Sequence, residues 1–362
     1  MNAEMNLREK FFNNMKRLDG GYIPFEFNLC PSQAESFRQR IGDFSWEEYY
    51  AFPLRIAGPT FLASRAELNR RYHKYIANID ELDHLFDFGV GFKKKNFEHF
   101  MEMSHAMEKF DKLEDFEAYP YPNIETDYDW STLKEKAGAI KEKGFVAGAG
   151  MSCTIFEMAW YMRGMDNFMV DMALNPDWAC YLMDRILQVR RIFARRYAQA
   201  GFEILLLGDD VSTQLNMMMS PEMWREFLKP RLASVITAAK EEKPEILIFY
   251  HGDGNLQKII PDLIEIGVDI LNPVQPECMD PIEIKRQYGD KLVLWGTIGT
   301  QTTLPFGTTD EVRDWCEKMI REAGFNGGLC LAPTHMVEPE VPFENMMAFI
   351  ETVQEHNKKR KE

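Results

Sequence analysis

From residue 144 onward, short apolar runs alternate with amphipathic stretches, and this alternation restricts the chain to few folds. Six runs are typical of buried β-strands, at residues 145–150, 204–208, 246–250, 268–272, 292–296 and 328–331. The stretches between them, in which apolar residues recur at helical spacing, lie at residues 176–200, 221–241, 256–266, 281–288 and 309–323. Strands that alternate with helices in this way pair in parallel. The pattern therefore predicts an α/β fold.

Two earlier apolar runs raise the number of strands to that of a closed barrel. Residues 22–27 and 52–57 are the candidates for the first and second strands. Because eight parallel strands close a (β/α)8 barrel, we predict a TIM barrel with a helical N-terminal extension, and one domain over residues 1–362. An open doubly wound sheet is the alternative that the same pattern allows.

Residues 59–143 interrupt the alternation of strands and helices with a long, aromatic segment. An insertion of this length after a strand commonly covers an active site, so we predict a helical insertion that caps the active end of the barrel. The histidines of this segment, which we assign to packing and not to metal binding, are His73, His84, His99 and His105.

Charge, hydropathy and cysteine spacing exclude several classes of function. Asp and Glu number 57 against 42 Lys and Arg, a formal charge of −15, which would repel a phosphate backbone. Apolar runs of the length that spans a membrane, about 18 residues, do not occur. The six cysteines form no CxxC pair, as expected for reduced thiols. We therefore expect a cytoplasmic protein that binds neither nucleic acid nor membrane.

Three metal-competent side chains follow predicted strands. His251 and Asp253 come directly after the strand at 246–250, and His335 follows the strand at 328–331. Imidazole and carboxylate both bind zinc, and three such ligands leave the fourth position open, as in catalytic sites. Cys278 is a further candidate ligand. The alternative is that both histidines bond loop carbonyls and that Asp253 is a turn residue.

Other polar residues lie at or just past strand ends. Asp209 and Asp210 are adjacent, so their carboxylates point to different faces, and we expect one to act in the site and the other to cap a helix. We assign Asp210 to catalysis, together with His251 and His335. The residues predicted to contact the substrate are Glu157, Asp209, Gln214, Tyr250 and Thr297.

Several motifs within residues 145–349 resemble the uroporphyrinogen decarboxylase superfamily, whose members share a (β/α)8 barrel. The motifs are Leu207-Gly208-Asp209-Asp210, the run from Met219 to Arg231, Gly267-Val268-Asp269, Gly296-Thr297, and Leu331 to His335. In that superfamily, the zinc methyltransferases that serve corrinoid proteins carry His-x-Cys-Gly after the fifth strand and Ala-Pro-x-Cys after the eighth. His251 matches the histidine of the first motif, whereas Asp253 and His335 stand at the positions of the two cysteines.

This resemblance implies a zinc site that is harder and more Lewis acidic than one with two thiolates. Such a site suits the polarisation of an ether or alcohol oxygen. The implied reaction is demethylation of a small substrate, with a corrinoid on a partner protein as methyl acceptor. A methoxyaryl substrate would suit an aromatic cap over the barrel mouth, and a homodimer is implied by the resemblance alone. The direction of methyl transfer stays open, because both directions occur on this fold.

Two alternative functions are considered beside the methyltransferase. Tetrapyrrole decarboxylases of the superfamily present an arginine-rich segment to substrate carboxylates, but here the first strand reads Phe25-Glu26-Phe27-Asn28-Leu29-Cys30. Where an aspartate is expected after the second strand, this chain has Phe52-Pro53-Leu54-Arg55. The other alternative is a non-catalytic protein that binds a corrinoid and whose substituted ligands record a lost site.

Overall fold

A computed structural model describes residues 5–18, 20–95 and 99–359. The strands are β1 (Leu54–Ile56), β2 (Thr60–Phe61), β3 (His84–Leu85), β4 (Gly91–Lys94), β5 (Met101–Ser104), β6 (Tyr128–Asp129), β7 (Val146–Ser152), β8 (Ile204–Gly208), β9 (Leu247–His251), β10 (Ile270–Asn272), β11 (Val293–Ile298) and β12 (Leu329–Pro333). One parallel sheet has the order β1-β7-β8-β9-β10-β11-β12, so from β7 onward each strand pairs with the next one along the chain.

The helices lie between these strands and around the sheet. They are α1 (Leu7–Met15), α2 (Pro31–Ile41), α3 (Trp46–Tyr49), α4 (Arg65–Tyr72), α5 (Leu113–Glu117), α6 (Leu133–Glu142), α7 (Phe156–Arg163), α8 (Met165–Leu174), α9 (Pro176–Ala200), α10 (Pro221–Phe227), α11 (Lys229–Lys240), α12 (Ile260–Glu265), α13 (Pro281–Tyr288), α14 (Thr303–Phe306), α15 (Thr309–Glu322) and α16 (Phe343–Lys359). Short 3₁₀ turns occur at Ile79–Glu81 and Gln257–Ile259. Within the described ranges, none of these helices combines the length and the apolar character that a membrane span requires.

The first predicted strand completes the barrel with little regular pairing. Phe25 forms a parallel bridge with Leu331 of β12, and Leu331 donates its N–H to the Pro24 carbonyl at 2.9 Å. On the other side, the ring of Phe27 lies 4.9 Å from the ring of Phe52, just before β1. Pro24 has no N–H to donate, which limits this segment to isolated bridges. The first segment thus meets the last strand, which confirms the barrel and excludes the open sheet.

The N-terminal extension is helical, as predicted, and packs into the barrel interior. Phe11 and Met15 of α1 are buried in the same cluster as the inward-facing residues of the strands. The rings of Phe249 and Phe11 lie 5.3 Å and 5.9 Å from the ring of Trp295. A fully buried aromatic side chain contributes about 1.5–3 kcal/mol. Because α1 leads in from the amino ends of the strands, the carboxyl ends remain as the accessible mouth.

Two predicted helices differ from the observed ones because of proline. The stretch 221–241 forms α10 and α11 with a break at Leu228, and Pro230 stands in the first turn of α11. Proline lacks an amide hydrogen and its ring clashes with the preceding turn, so it favours a new helix start. Pro261 likewise begins α12 after a 3₁₀ turn, where a single helix over 256–266 was predicted.

The insertion at 59–143, predicted as helical, contains five short strands as well as the helices α4, α5 and α6. β3, β4 and β5 form an antiparallel sheet, and β2 pairs with β6. These strands are short and largely exposed, so they lack the buried alternation by which strands are recognised. The insertion packs on α7, where Arg163 donates to the Met107 carbonyl at 2.7 Å.

Candidate functional site

Three side chains at the carboxyl ends of β8 and β9 form a compact cluster. His251 Nε2 lies 3.8 Å from Asp210 Oδ1 and 3.9 Å from Asp253 Oδ1. One potential ligand atom from each of the three residues lies within 4.8 Å of the others. The sequence predicted His251 and Asp253 as ligands and Asp210 as a catalytic residue, and the structure brings all three together.

Gly208 and Gly254 allow the backbone around His251 and Asp253 to pack closely enough to form the cluster. Gly208 lies beside His251 in the sheet, and a Cβ atom on Gly208 would stand 2.6 Å from the His251 carbonyl oxygen. After Asp253, Gly254 has a φ of +87°, which favours glycine. In this turn, the Asp253 N–H donates to Asp210 Oδ1 at 2.7 Å. The turn therefore holds the Asp210 side chain next to the Asp253 backbone.

Asn272 sets the orientation of the His251 ring. The Asn272 amide nitrogen donates to the Trp295 carbonyl at 3.2 Å, so its Oδ1 must be the acceptor for His251 Nδ1–H at 2.6 Å. The lone pair of His251 is thereby assigned to Nε2, which faces the two carboxylates. The sequence alone does not reveal this role, because it depends on sheet register: Asn272 ends β10 opposite His251.

The cluster fits a divalent cation by its donors and by one unsatisfied atom. Asp253 Oδ1 is buried and has no hydrogen-bond partner among the described residues. Burial raises the pKa of Asp253 and the Asp210 charge adds to this, whereas His251 and His335 oppose it. Tetrahedral zinc with bonds of about 2.0–2.2 Å holds its ligand atoms roughly 3.4 Å apart, close to the distances seen here. Three protein ligands would leave a fourth position for substrate.

The other two predicted ligands lie outside this cluster. His335 is exposed after β12, which two strands separate from β9 in the sheet, although it is near enough to affect Asp253 electrostatically. The Cys278 thiol contacts Gln275 Oε1 at 3.5 Å. Burial raises the pKa of Cys278, which disfavours the thiolate that binds zinc.

Asp209 and Asp210 point in different directions. The buried Asp209 carboxylate accepts hydrogen bonds from the N–H groups of Ile155 at 3.0 Å and Glu157 at 2.9 Å, and so caps the start of α7. Glu157 accepts from the Asp210 N–H at 3.2 Å. Burial raises the pKa of Glu157 to about 8, and the charges of Asp209 and Asp210 add to this effect. Glu157 therefore borders the cluster, while Asp209 lies behind it.

The remaining predicted substrate contacts lie at other levels of the barrel mouth. Tyr250 is buried, and its hydroxyl donates to the Asp209 carbonyl at 3.1 Å. Thr297 is also buried and has a φ of +72°, which is strained for a β-branched residue. Gln214 is exposed on the rim, where it donates to Gln301 at 2.5 Å.

We expect Asn272→Ala to weaken metal binding by roughly 10- to 100-fold, because the His251 ring would lose its orienting acceptor. Competition with a chelator of known zinc affinity measures this change. Asn326→Ala is the matched control, because this exposed asparagine lies in the turn that leads into β12, at the amino end of the barrel. Equal zinc affinity of the wild type and Asn272→Ala would contradict the orienting role.

Comparison with known proteins gives consistent matches. The family model described as Uroporphyrinogen decarboxylase (URO-D) matches residues 85–356. Uroporphyrinogen decarboxylase from Nostoc punctiforme is 24% identical over 259 residues, 70% of this chain and 69% of that protein. The enzyme of the same name from Campylobacter concisus is 24% identical over 236 residues, covering 63% of this chain and 64% of that protein.

A solved structure matches almost the whole chain. It is a methyltransferase from Methanosarcina mazei, with a TM-score of 0.67 and 17% sequence identity over 97% of this chain and 99% of that one. At this level of identity the match shows a shared fold.

Proposed function

The chain belongs to the uroporphyrinogen decarboxylase family, and from this premise we propose that it is a zinc-assisted, corrinoid-dependent methyltransferase. It would remove a methyl group from an oxygen atom of a small donor molecule and pass it to a corrinoid on a partner protein. The observation that carries the proposal is the His251, Asp210 and Asp253 cluster with its unpartnered carboxylate oxygen.

The donors of this cluster suit an oxygen substrate. His251 Nε2 and the carboxylates of Asp210 and Asp253 would hold the ion, and Asn272 keeps the imidazole in the binding tautomer. When bound, zinc supplies Lewis acidity that stabilises negative charge on the departing oxygen. Glu157 lies beside Asp210 and can contact a polar group of the substrate.

The insertion provides an apolar wall next to these polar groups. The Phe92 ring lies 6.3 Å from the Tyr161 ring, and the Tyr161 hydroxyl donates to Glu157 at 3.3 Å. His84 and Met103 are in register with Phe92 and share its face of the antiparallel sheet. Aromatic and sulfur-containing side chains pack well on an aryl ring. The wall therefore supports a methoxyaryl donor.

Tetrapyrrole decarboxylation is the second candidate, because the two relatives named above carry that name. The first barrel segment argues against this function, because it carries Glu26, whereas the corresponding segment of the decarboxylases presents arginines to the substrate carboxylates. A substrate with many carboxylates would meet acidic groups in this barrel, namely Glu26 in its interior and Asp210 and Asp253 at its mouth.

A methyl-transfer assay decides between the two. The zinc-loaded protein is incubated with reduced cobalamin and a panel of methoxyaryl compounds, and the demethylated product is measured by chromatography. We expect product formation that is lost after chelation and restored by zinc. Carbon dioxide release from uroporphyrinogen without methyl transfer would overturn the proposal in favour of decarboxylation, and full methyl transfer by zinc-free protein would remove the role assigned to the cluster.

A further inference from the structure

We propose that Glu26 is a specificity-determining residue in the barrel interior, which accepts a hydrogen bond from a substrate hydroxyl and disfavours substrates with a carboxylate at the same position. This inference rests on the proposed function, because it names the class of methyl donor: a methoxyaryl compound that carries a hydroxyl group.

The neighbours of Glu26 in the sequence determine where its side chain lies. The rings of Phe25 and Phe27 pack outside the barrel, at 5.8 Å and 4.9 Å from the ring of Phe52. Since side chains alternate along an extended chain, Glu26 faces the interior. Its Oε1 accepts a hydrogen bond from Trp295 Nε1 at 2.9 Å, and Trp295 belongs to the interior cluster.

The Glu26 carboxyl has spare acceptor capacity. Trp295 is its single side-chain hydrogen-bond donor within the described residues. Arg55, whose charge acts on Glu26, donates to the carbonyls of Phe52, Leu54 and Glu47. Burial raises the pKa of Glu26 to about 7, with opposition from the Trp295 hydrogen bond. The residue as a whole is half-buried, so part of its surface stays open to solvent.

Trp295 links Glu26 to the metal cluster. Its indole N–H donates to Glu26, while its carbonyl accepts from Asn272, the residue that orients His251. Glu26 and His251 are therefore held in a fixed relation by the two ends of one buried residue. A ligand bound at the cluster could extend from the mouth inward to Glu26.

The wall on the β1 and β7 side leaves space for such a ligand. Ile56 ends β1 with 61% of its surface exposed, although it is apolar and in register with Gly148. A Cβ atom added to Gly150 would have one neighbour within 4 Å, Ile56 Cγ2 at 3.9 Å. An apolar wall with open space beside it suits the face of an aromatic ring.

The charge of Glu26 defines which substituent is accepted. A carboxyl group without a cationic partner can take a hydrogen bond from a hydroxyl, whereas a second carboxylate would be repelled and left without a donor. A site that contains a buried acceptor also discriminates against ligands that lack the donor. The mouth would therefore select methoxyphenols over methoxybenzoates.

Equilibrium binding tests this selection without depending on turnover. Isothermal titration calorimetry measures the three methoxyphenol and the three methoxybenzoate isomers against the zinc-loaded wild type, Glu26→Leu and Glu26→Gln. Glu48→Gln is the control, because Glu48 is an exposed glutamate of α3. We expect the wild type to prefer at least one methoxyphenol to the methoxybenzoate with the same ring substitution pattern by roughly tenfold or more.

The two variants separate the hydrogen bond from the charge. Glu26→Leu should weaken methoxyphenol binding about tenfold, whereas Glu26→Gln keeps an acceptor and should stay within about threefold while binding the methoxybenzoates more tightly than the wild type. A wild type without preference, or variants that bind both series as the wild type does, would overturn the inference. The predicted binding pattern without methyl transfer would leave the role of Glu26 standing and remove the proposed function.

Discussion

Replacement of His251 by alanine should strip the site of its metal ion and lower the rate of methyl transfer by roughly a hundredfold or more. His251 contributes the only neutral nitrogen ligand of the described cluster, and the two carboxylates that remain would repel each other without it. The His251 side chain is 36% exposed, so its removal loses few packing contacts. The midpoint of unfolding should therefore hardly change. Zinc content after purification and initial rates give the two readouts.

Two further alanine variants test whether the loss of zinc and activity is particular to His251. His73→Ala is the control, because this exposed residue at the end of α4 lies in the insertion, away from the cluster. His335→Ala should retain most of the zinc, since His335 lies outside the group of ligand atoms. Retention of zinc and activity by His251→Ala would contradict the assigned site. Loss of zinc from His335→Ala would mean that His335 completes the ligand set in the zinc-bound protein.

The barrel could be predicted because each strand is marked locally. The run at 204–208 is buried on both faces and bounded by Gly201 and the Asp209-Asp210 pair, and it becomes β8 without a change of limits. The closure of the barrel at the first segment is less evident from the sequence, because its pairing with β12 joins residues from the two ends of the chain. The strands of the insertion carry no buried alternation, since their side chains face solvent or a neighbouring helix.

The site could be predicted to the extent that it follows from strand ends. His251 and Asp253 belong to one turn, so their proximity is local. Asn272 reaches His251 through sheet register, which the order of residues does not reveal. Cys278 and His335 occupy other loops of the mouth, and their distance from the cluster depends on how those loops fold.

The roles of Asp209 and Asp210 could not be separated from the sequence, because the difference comes from α7. The first N–H groups of this helix lie behind β8, and the carboxylate that points towards them becomes a cap. The other carboxylate then faces the mouth. Exchange of each residue for alanine should therefore affect different properties of the protein.

We expect Asp209→Ala to lower the free energy of unfolding by about 2–4 kcal/mol, because the N–H groups of Ile155 and Glu157 would be buried without an acceptor. The relief of burying a charge offsets part of this loss. Asp210→Ala should change stability by about 1 kcal/mol or less, since its side chain is 35% exposed, but it should weaken zinc binding strongly. Guanidinium denaturation and chelator competition measure the two quantities.

The pair of variants tests the division of roles directly, because both changes delete a carboxylate and differ by one position in the chain. Asp209→Asn is an intermediate case, because the amide oxygen can still accept one hydrogen bond. The free energy of unfolding of this variant should lie between those of the wild type and Asp209→Ala. If Asp209→Ala were as stable as the wild type yet lost zinc, then Asp209 would belong to the metal site. If Asp210→Ala bound zinc as the wild type does, the ion would need a third ligand from elsewhere in the mouth, and the exposed His335 would be the first to examine.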